Sequence, residues 1–261
     1  MGGERYRPLI EDMVWSYSRI NCYIDCPYRW FVKYIHTPKI EEEPMFYTTY
    51  GSFMHKLIER YYKKEITRDQ MRVEFLINFS REVMGDRPSE KIVGDYIKSG
   101  LDYIESFRDL PYNIIGVEKT MNFSIEGKQF VGIVDILGEK DGNLYIIDNK
   151  SRNLKPRSKR KKPTVSDKEL DEMLKQLYVY ATAVKQTYGE FPKALCFNCF
   201  RNNVFIEEDF NMDTYESVIE EVVNTIRRIE DSESDDFHPN IDYFYCNYLC
   251  GYHNSCEYMN R

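Results

Sequence analysis

No apolar run in this chain reaches the length of a membrane span, which excludes an integral helical membrane protein. The start, Met1-Gly2-Gly3-Glu4-Arg5, lacks the apolar stretch of a secretory signal, so a cytoplasmic location in a bacterial, archaeal or phage-infected cell is expected. Position six is Tyr6, neither Ser nor Thr, so Gly2 does not make a myristoylation site. There is no Gly-x-x-x-x-Gly-Lys-Ser/Thr loop, which excludes a nucleotide-driven motor, and there is no internal repeat. Positive charge is in deficit. A net charge of -7 argues against a protein that coats nucleic acid indiscriminately, though it leaves room for a local basic site.

What is present describes a globular chain. Its 261 residues are 42% hydrophobic and 30% charged, enough to bury the core of one large domain. Seven cysteines form an odd, unevenly placed set: Cys22 and Cys26 early, Cys196 and Cys199 midway, Cys246, Cys250 and Cys256 late. In a chain of this kind that favours metal ligation or free thiols over disulfides.

Periodicity predicts a helix from Trp15 to Ile35 with Ser16 as N-cap, an acidic linker from Thr37 to Pro44, and helices over Gly51–Glu65, 68–85 and 88–108. Strands are expected at Tyr112–Ile125, Gln129–Leu137 and Asn143–Lys150, with Leu137 to Gly142 as a turn. After a basic loop come a helix from Asp167 to Thr187, a hairpin over Lys193–Phe200 and Val204–Phe210, and a helix from Thr214 to Glu230. Its apolar face is Val218, Ile219, Val222, Val223, Ile226 and Ile229. An acidic linker, 231–236, leads into the cysteine tail.

The chemistry concentrates at two strand ends. Asp135 closes Gly132-Ile133-Val134-Asp135, and thirteen residues later Asp148-Asn149-Lys150 ends an apolar run. A hairpin sets the two acids side by side, and Asp148 and Lys150, two apart, share a strand face. Two carboxylates and an ammonium on one face suit a hard divalent cation and a polarised water, the chemistry of metal-dependent phosphodiester hydrolysis. An isolated Asp-x-Lys at a strand end is common on surfaces, so the weight rests on its companions.

Strand, strand with Asp135, strand with Asp148 and Lys150, then a helix with Gln176 and Tyr180: this order resembles the PD-(D/E)XK nuclease core. Gly51-Ser52-Phe53-Met54-His55 resembles the Gly-x-x-x-His element of the RecB-like branch, and Gln176-Leu177-Tyr178-Val179-Tyr180 its Gln-x-x-x-Tyr element. Ser16-Tyr17-Ser18-Arg19-Ile20 with Cys26-Pro27-Tyr28-Arg29-Trp30-Phe31, and Cys246-x3-Cys250-x5-Cys256, resemble the cysteine blocks of RecB-like nucleases that carry an iron–sulfur cluster. These include AddB-type nuclease domains, CRISPR-associated RecB-like exonucleases and stand-alone phage members.

The resemblance implies an α/β, restriction-endonuclease-like fold: a mixed central sheet flanked by helices, as one domain over 1–261. Within it 51–108 is a helical lobe, 112–210 the catalytic core, and 237–261 a cysteine tail joined to 16–35. It implies Mg2+ or Mn2+ on His55, Asp135 and Asp148, with Lys150 orienting the attacking water and Gln176 and Tyr180 completing the site. It also implies a 4Fe–4S cluster on Cys26, Cys246, Cys250 and Cys256. The first late gap is three residues where the family usually has two, so four thiolates on structural Zn2+ stay open, as does Cys22 in place of Cys26.

Other residues read more plainly. Cys196 and Cys199 lie three apart in a strand, point to opposite faces, and read as core or free thiols. His253 reads as a loop residue, and Glu118 as either a further metal ligand or a solvent-facing strand residue. Arg152, Lys155, Arg157, Lys159, Arg160, Lys161 and Lys162 follow Lys150 directly; with only Leu154 apolar among them, the loop is expected to be mobile and to grip phosphates. The expected activity is a metal-dependent deoxyribonuclease, an exonuclease on single strands or DNA ends in recombination, repair or phage DNA processing, working beside replication or recombination proteins. The rivals are an inactive nucleic-acid-binding protein on the same fold and a zinc-clasp interaction protein.

Overall fold

A five-stranded sheet organises the chain, in the order β1-β2-β3-β4-β5. The strands are β1 (Asn113–Ile125), β2 (Lys128–Lys140), β3 (Asn143–Lys150), β4 (Ala194–Cys199) and β5 (Val204–Asp209). All neighbours are antiparallel except β3 and β4, which are parallel. A parallel pair needs a long crossover, and α7 (Val165–Tyr188) supplies it. The computed structural model describes residues 7–106, 109–233 and 236–259.

The remaining helices are α1 (Arg7–Glu11), α2 (Tyr17–Asp25), α3 (Pro27–Tyr34), α4 (Phe46–Tyr62), α5 (Arg68–Glu82), α6 (Glu90–Ser106), α8 (Met212–Asp231) and α9 (Tyr243–Tyr248). One apolar core lies between the sheet and α7, α8 and α2, built on Phe130, Leu144, Ile146, Leu177, Val184, Leu195, Phe197 and Ile226. A second binds α4, α5 and α6 through Tyr50, Met54, Phe75 and Ile104, and takes in Phe200 from the end of β4. Tyr112, Ile136, Tyr145, Ile147 and Cys196 form a smaller cluster. This is the mixed sheet flanked by helices that the sequence predicts.

Two local expectations change. The helix from Trp15 to Ile35 is broken at Cys26, whose backbone is extended (φ −161°, ψ 105°). Pro27 disfavours helical backbone at the residue before it and then starts α3 as its first residue. Ser16 caps α2 as expected, accepting from the Arg19 N–H at 3.3 Å. The expected turn from Leu137 to Gly142 shrinks to Asp141-Gly142, with φ of 52° and 75°. That pair makes a two-residue turn with both residues left-handed, so β2 keeps pairing with β3 from Ile136 to Lys140. Among the described residues no helix is long and apolar enough to cross a membrane.

Candidate active site

Alternation along β2 slips at Asp135. Phe130 and Val134 belong to the core under α7, Ile136 to the cluster with Tyr145 and Ile147, and Leu137 to the α7 core again. On β1 the residue in the same row is Glu118, since Val117 pairs with Ile136 and Lys119 with Val134. Its φ is +48°, left-handed and costly for a residue with a side chain. Irregularities of this kind re-aim side chains, and here they gather the acids.

The β2–β3 ladder ends at Ile136 opposite Ile147, so Asp135 and Asp148 occupy the next row. The Asn149 N–H donates to Asp135 Oδ2 at 2.8 Å, and His55 Nδ1, on α4, lies 3.4 Å from the same oxygen. Ligand atoms of His55, Glu118 and Asp135 all lie within 4.8 Å of one another. Asp148 stands outside that trio but acts on it. Burial, and then the Asp148 charge, hold the Asp135 carboxyl well above its usual range; the Asn149 N–H pulls the other way. Glu118 is raised by burial and by Glu59, and His55 is lowered by burial against the pull of Asp148.

Asp148 is 4% exposed, and its Oδ2 lies 2.9 Å from Lys150 Nζ, an ion-pair distance without hydrogen-bond alignment. A buried carboxylate oxygen with no hydrogen bond, beside a second carboxyl that burial and the neighbouring negative charge hold above its usual range, fits a cation-binding site. Lys150 Nζ also donates to Gln176 Oε1 at 2.9 Å, and Gln176 Nε2 donates to the Tyr180 hydroxyl at 2.9 Å. Gln176 and Tyr180 share one face of α7 and hold the ammonium from behind. Tyr180 in turn lies on Gly132: a Cβ there would sit 2.8 Å from the Tyr180 ring. Gly51 similarly brings α4 against the end of β3, where a Cβ would meet Ser151 Oγ at 3.4 Å.

One part of the site escaped the sequence. Asn198 Nδ2 donates to Asn149 Oδ1 at 2.7 Å and to the Tyr103 hydroxyl at 2.6 Å, so the residue between Asp148 and Lys150 is tied to β4 and the helical lobe. The available signal was one amide in the otherwise apolar strand Ala194-Leu195-Cys196-Phe197-Asn198-Cys199, which needs a buried partner.

The basic loop is better anchored than expected. Leu154 is buried, Asn202 Nδ2 donates to its carbonyl at 2.8 Å, and Asp167 accepts from Ser158 N–H at 2.7 Å and Ser158 Oγ at 2.6 Å. Arg157 is gripped by Asp171 and Glu208, each at 2.7 Å, and Arg152 lies 3.5 Å from Glu169. Lys155, Lys159, Arg160, Lys161 and Lys162 are exposed. The expectation of an unpacked loop is therefore corrected, because a single leucine and a capping aspartate suffice to fix it.

Residues 237–252 of the cysteine tail pack against α3 and the acidic linker. Arg29 of α3 bonds the Tyr245 hydroxyl and Glu42, Trp30 stacks on Phe237 at 5.5 Å, and the Glu43 N–H donates to the Gly251 carbonyl at 2.8 Å. Cys26 Sγ caps α3 by accepting from the Arg29 N–H at 3.4 Å. Burial raises the Cys246 and Cys250 thiols; Cys26 and Cys256 add to it at Cys246, Cys26 and Cys246 at Cys250. Cys22 packs instead in the core under α7, its thiol pushed up to about 11 by burial. One tetrahedral zinc ion needs its thiolates about 3.8 Å apart, given a Zn–S distance near 2.3 Å. Among the described residues no three cysteine sulfurs lie mutually within 4.8 Å. Cys196 and Cys199 fall into different clusters, and burial pushes both thiols up to about 12. His253 Nδ1 lies 3.2 Å from the Cys250 carbonyl.

A solved structure of similar fold is known. The crystal structure of a protein from Eubacterium rectale, provisionally named an exonuclease, superposes with a TM-score of 0.54 over 95% of this chain and 91% of its own, at 15% identity. The structure of SSO0001 aligns over 98% of both chains at 14% identity with a TM-score of 0.33. No curated protein matches the sequence. A profile of the PD-(D/E)XK nuclease superfamily matches residues 14–257, and the chain belongs to that superfamily.

Proposed function

We propose that the protein is a divalent-metal-dependent deoxyribonuclease of the RecB-like branch, acting from DNA ends or on single strands. The observation that carries the reading is the crowding of His55, Glu118 and Asp135 beside the buried, unbonded Asp148 oxygen. His55, Glu118, Asp135 and Asp148 would hold Mg2+ or Mn2+. A bound cation supplies a lowered water pKa and charge stabilisation at the scissile phosphate. Lys150 keeps its ammonium at the site through Asp148 and Gln176, where it orients the attacking water and offsets phosphate charge. Tyr180 fixes the Gln176 amide so that its oxygen faces Lys150. The exposed bases Lys155, Lys159, Arg160, Lys161 and Lys162 would contact backbone phosphates, and Arg152 and Arg157 would brace the loop that carries them.

For the chain ends, the reading is a 4Fe–4S cluster on Cys26, Cys246, Cys250 and Cys256, joining the tail to α2 and α3 within one folded unit. A cubane binds each thiolate to a different iron and so tolerates wider sulfur spacing than one zinc ion. The decisive experiment is anaerobic purification, then incubation with end-labelled single- and double-stranded DNA and Mn2+. Brown protein with about four irons per chain and progressive loss of end label are expected. Colourless protein containing zinc would remove the cluster. Intact DNA in the presence of Mn2+ would remove the nuclease.

A further inference from the structure

An exposed aromatic surface lies where the cysteine tail meets the helical lobe. Tyr243, Phe244 and Tyr248 of α9 are 75%, 53% and 39% exposed. Phe244 lies 5.3 Å from Tyr248 between ring centroids, and Tyr47 of α4 lies 6.1 and 6.5 Å from the two. Tyr96 of α6 backs Tyr47 at 5.5 Å, and the Arg201 guanidinium stacks 4.1 Å from the Tyr96 ring centroid. Large aromatic side chains left in water forfeit roughly 2 kcal/mol each relative to burial. Several of them together on one surface call for a ligand.

Two observations select a nucleic-acid strand as that ligand. Ring contacts through the buried Phe200 and Tyr50 connect this surface to the candidate active site. His55 meets Phe200 edge-on at 5.7 Å, Phe200 meets Tyr50 at 6.1 Å, Tyr50 meets Tyr96 at 4.7 Å, and Tyr96 meets Tyr47. Tyr47, Gly51 and His55 succeed one another at every fourth position of α4, so one side of that helix runs from the aromatic surface past Ser151 to the acids. Eight helical residues span about 12 Å. That is a few nucleotides of stacked strand, at about 3.4 Å each. The second observation is chemical: rings beside a guanidinium make the surface that takes bases by stacking and phosphates by charge.

We propose that Tyr47, Phe244 and Tyr248, with Tyr96 and Arg201 behind them, form a stacking platform for unpaired bases of the substrate strand, a few nucleotides from the scissile phosphate. The proposal rests on the nuclease reading above. It also gives the cysteine centre a role in positioning substrate, because α9 carries Cys246 between Phe244 and Tyr248. Duplex ends would then need to fray before a strand reaches the acids.

The test is fluorescence anisotropy on anaerobically purified full-length protein in EDTA. The probes are a 5′-labelled thymidine oligonucleotide, the same length with a run of abasic sites, and a blunt duplex. The Phe244→Ala/Tyr248→Ala variant should bind the single strand roughly fivefold to a hundredfold more weakly, the range for losing a stacked base. Its salt slope should be unchanged, since no phosphate contact is removed. Wild type should discriminate against the abasic strand and the variant should not. Phe244→Trp should retain wild-type affinity, which separates stacking from misfolding. Equal affinity of wild type and the double variant for the thymidine strand, or of wild type for both strands, would overturn the platform. Cleavage of end-labelled DNA by wild type in Mn2+ is read in parallel. Cleavage with unchanged variant affinity sinks the platform alone, whereas wild type that neither binds nor cleaves sinks the nuclease reading and the platform with it.

Discussion

Replacing Gly132 by alanine adds one methyl group to the contact that supports the proposed catalytic lysine. A Cβ at position 132 would lie 2.8 and 3.0 Å from two carbons of the Tyr180 ring and 3.4 Å from Phe123. Tyr180 is almost fully buried, and its hydroxyl is bonded to Gln176, so the ring has little room to retreat. Overpacking of this kind costs about 1–3 kcal/mol. Removing a strand glycine returns about 0.5–1 kcal/mol. The net expectation is a loss of up to about 2.5 kcal/mol, each kcal/mol lowering the thermal midpoint by about 2–4 °C for a chain of this length. Activity should suffer more than stability. A displaced Tyr180 frees the Gln176 amide, and Lys150 loses its 2.9 Å partner. Cleavage should fall about 10- to 100-fold, the usual cost of losing a supporting contact behind a metal site. The assay is denaturant unfolding together with end-label release by the same preparations. Tyr180→Val makes room for the methyl, so the double variant should be more stable than the sum of the single changes predicts, by at least about 0.5 kcal/mol. An alanine variant as stable and as active as wild type would refute the packing argument.

Other perturbations separate the remaining parts. Asp135→Ala and Asp148→Asn should each reduce cleavage by more than about a hundredfold while circular dichroism stays native, and Lys150→Ala should do so with Mn2+ binding by calorimetry retained. Exchanging Lys159, Arg160, Lys161 and Lys162 together for alanine should weaken DNA binding and lower the salt slope by about 0.7 per lost phosphate contact on single strands; an unchanged slope would make the loop a solvated charge run. Asp167 accepts from both the N–H and the hydroxyl of Ser158 and of Thr164, which hold its carboxyl well below the usual range. A depressed folded pKa adds stability above the unfolded value, about 3.9, and loses it as pH falls toward the folded one. The stability gap between wild type and Asp167→Asn, from urea midpoints, should therefore be full at pH 6 and narrow below pH 4.

Much of the fold was legible because local signals were strong and independent. Asp141-Gly142 and Glu126-Gly127 have positive φ at both residues, and both pairs were readable as turns. Thr164 and Asp167 form a capping box that starts α7, two residues before the helix expected from Asp167. The misjudged helix at Trp15–Ile35 had its warning in Cys26-Pro27, where the proline forbids what the hydrophobic period on either side suggests. Period alone could not weigh the two, since α2 and α3 each bury an amphipathic face against the same core.

The site was legible as a set of residue types and illegible as a register. The motifs named Asp135, Asp148, Lys150, His55, Gln176 and Tyr180, and those side chains do converge. What they could not fix was which acids share the closest oxygens, because that depends on a slip in β2 and on left-handed backbone at Glu118. No sequence rule predicts +48° for a glutamate inside a strand. The slip has a consequence for how the site works. Regular alternation would send Asp135 and its neighbours Val134 and Ile136 to opposite faces in simple sequence; the irregularity lets Val134 and Ile136 bury in different clusters. The carboxylate is left at the seam, where β2 and β3 part beyond Ile136 and the Asn149 N–H is free to bond it. Sheet irregularity and acid crowding are thus one feature. A β-branched residue tolerates left-handed backbone less well than glutamate does, so Glu118→Val should lower the urea midpoint as well as remove a carboxylate from the site; a variant as stable as wild type would show that the backbone there carries no strain.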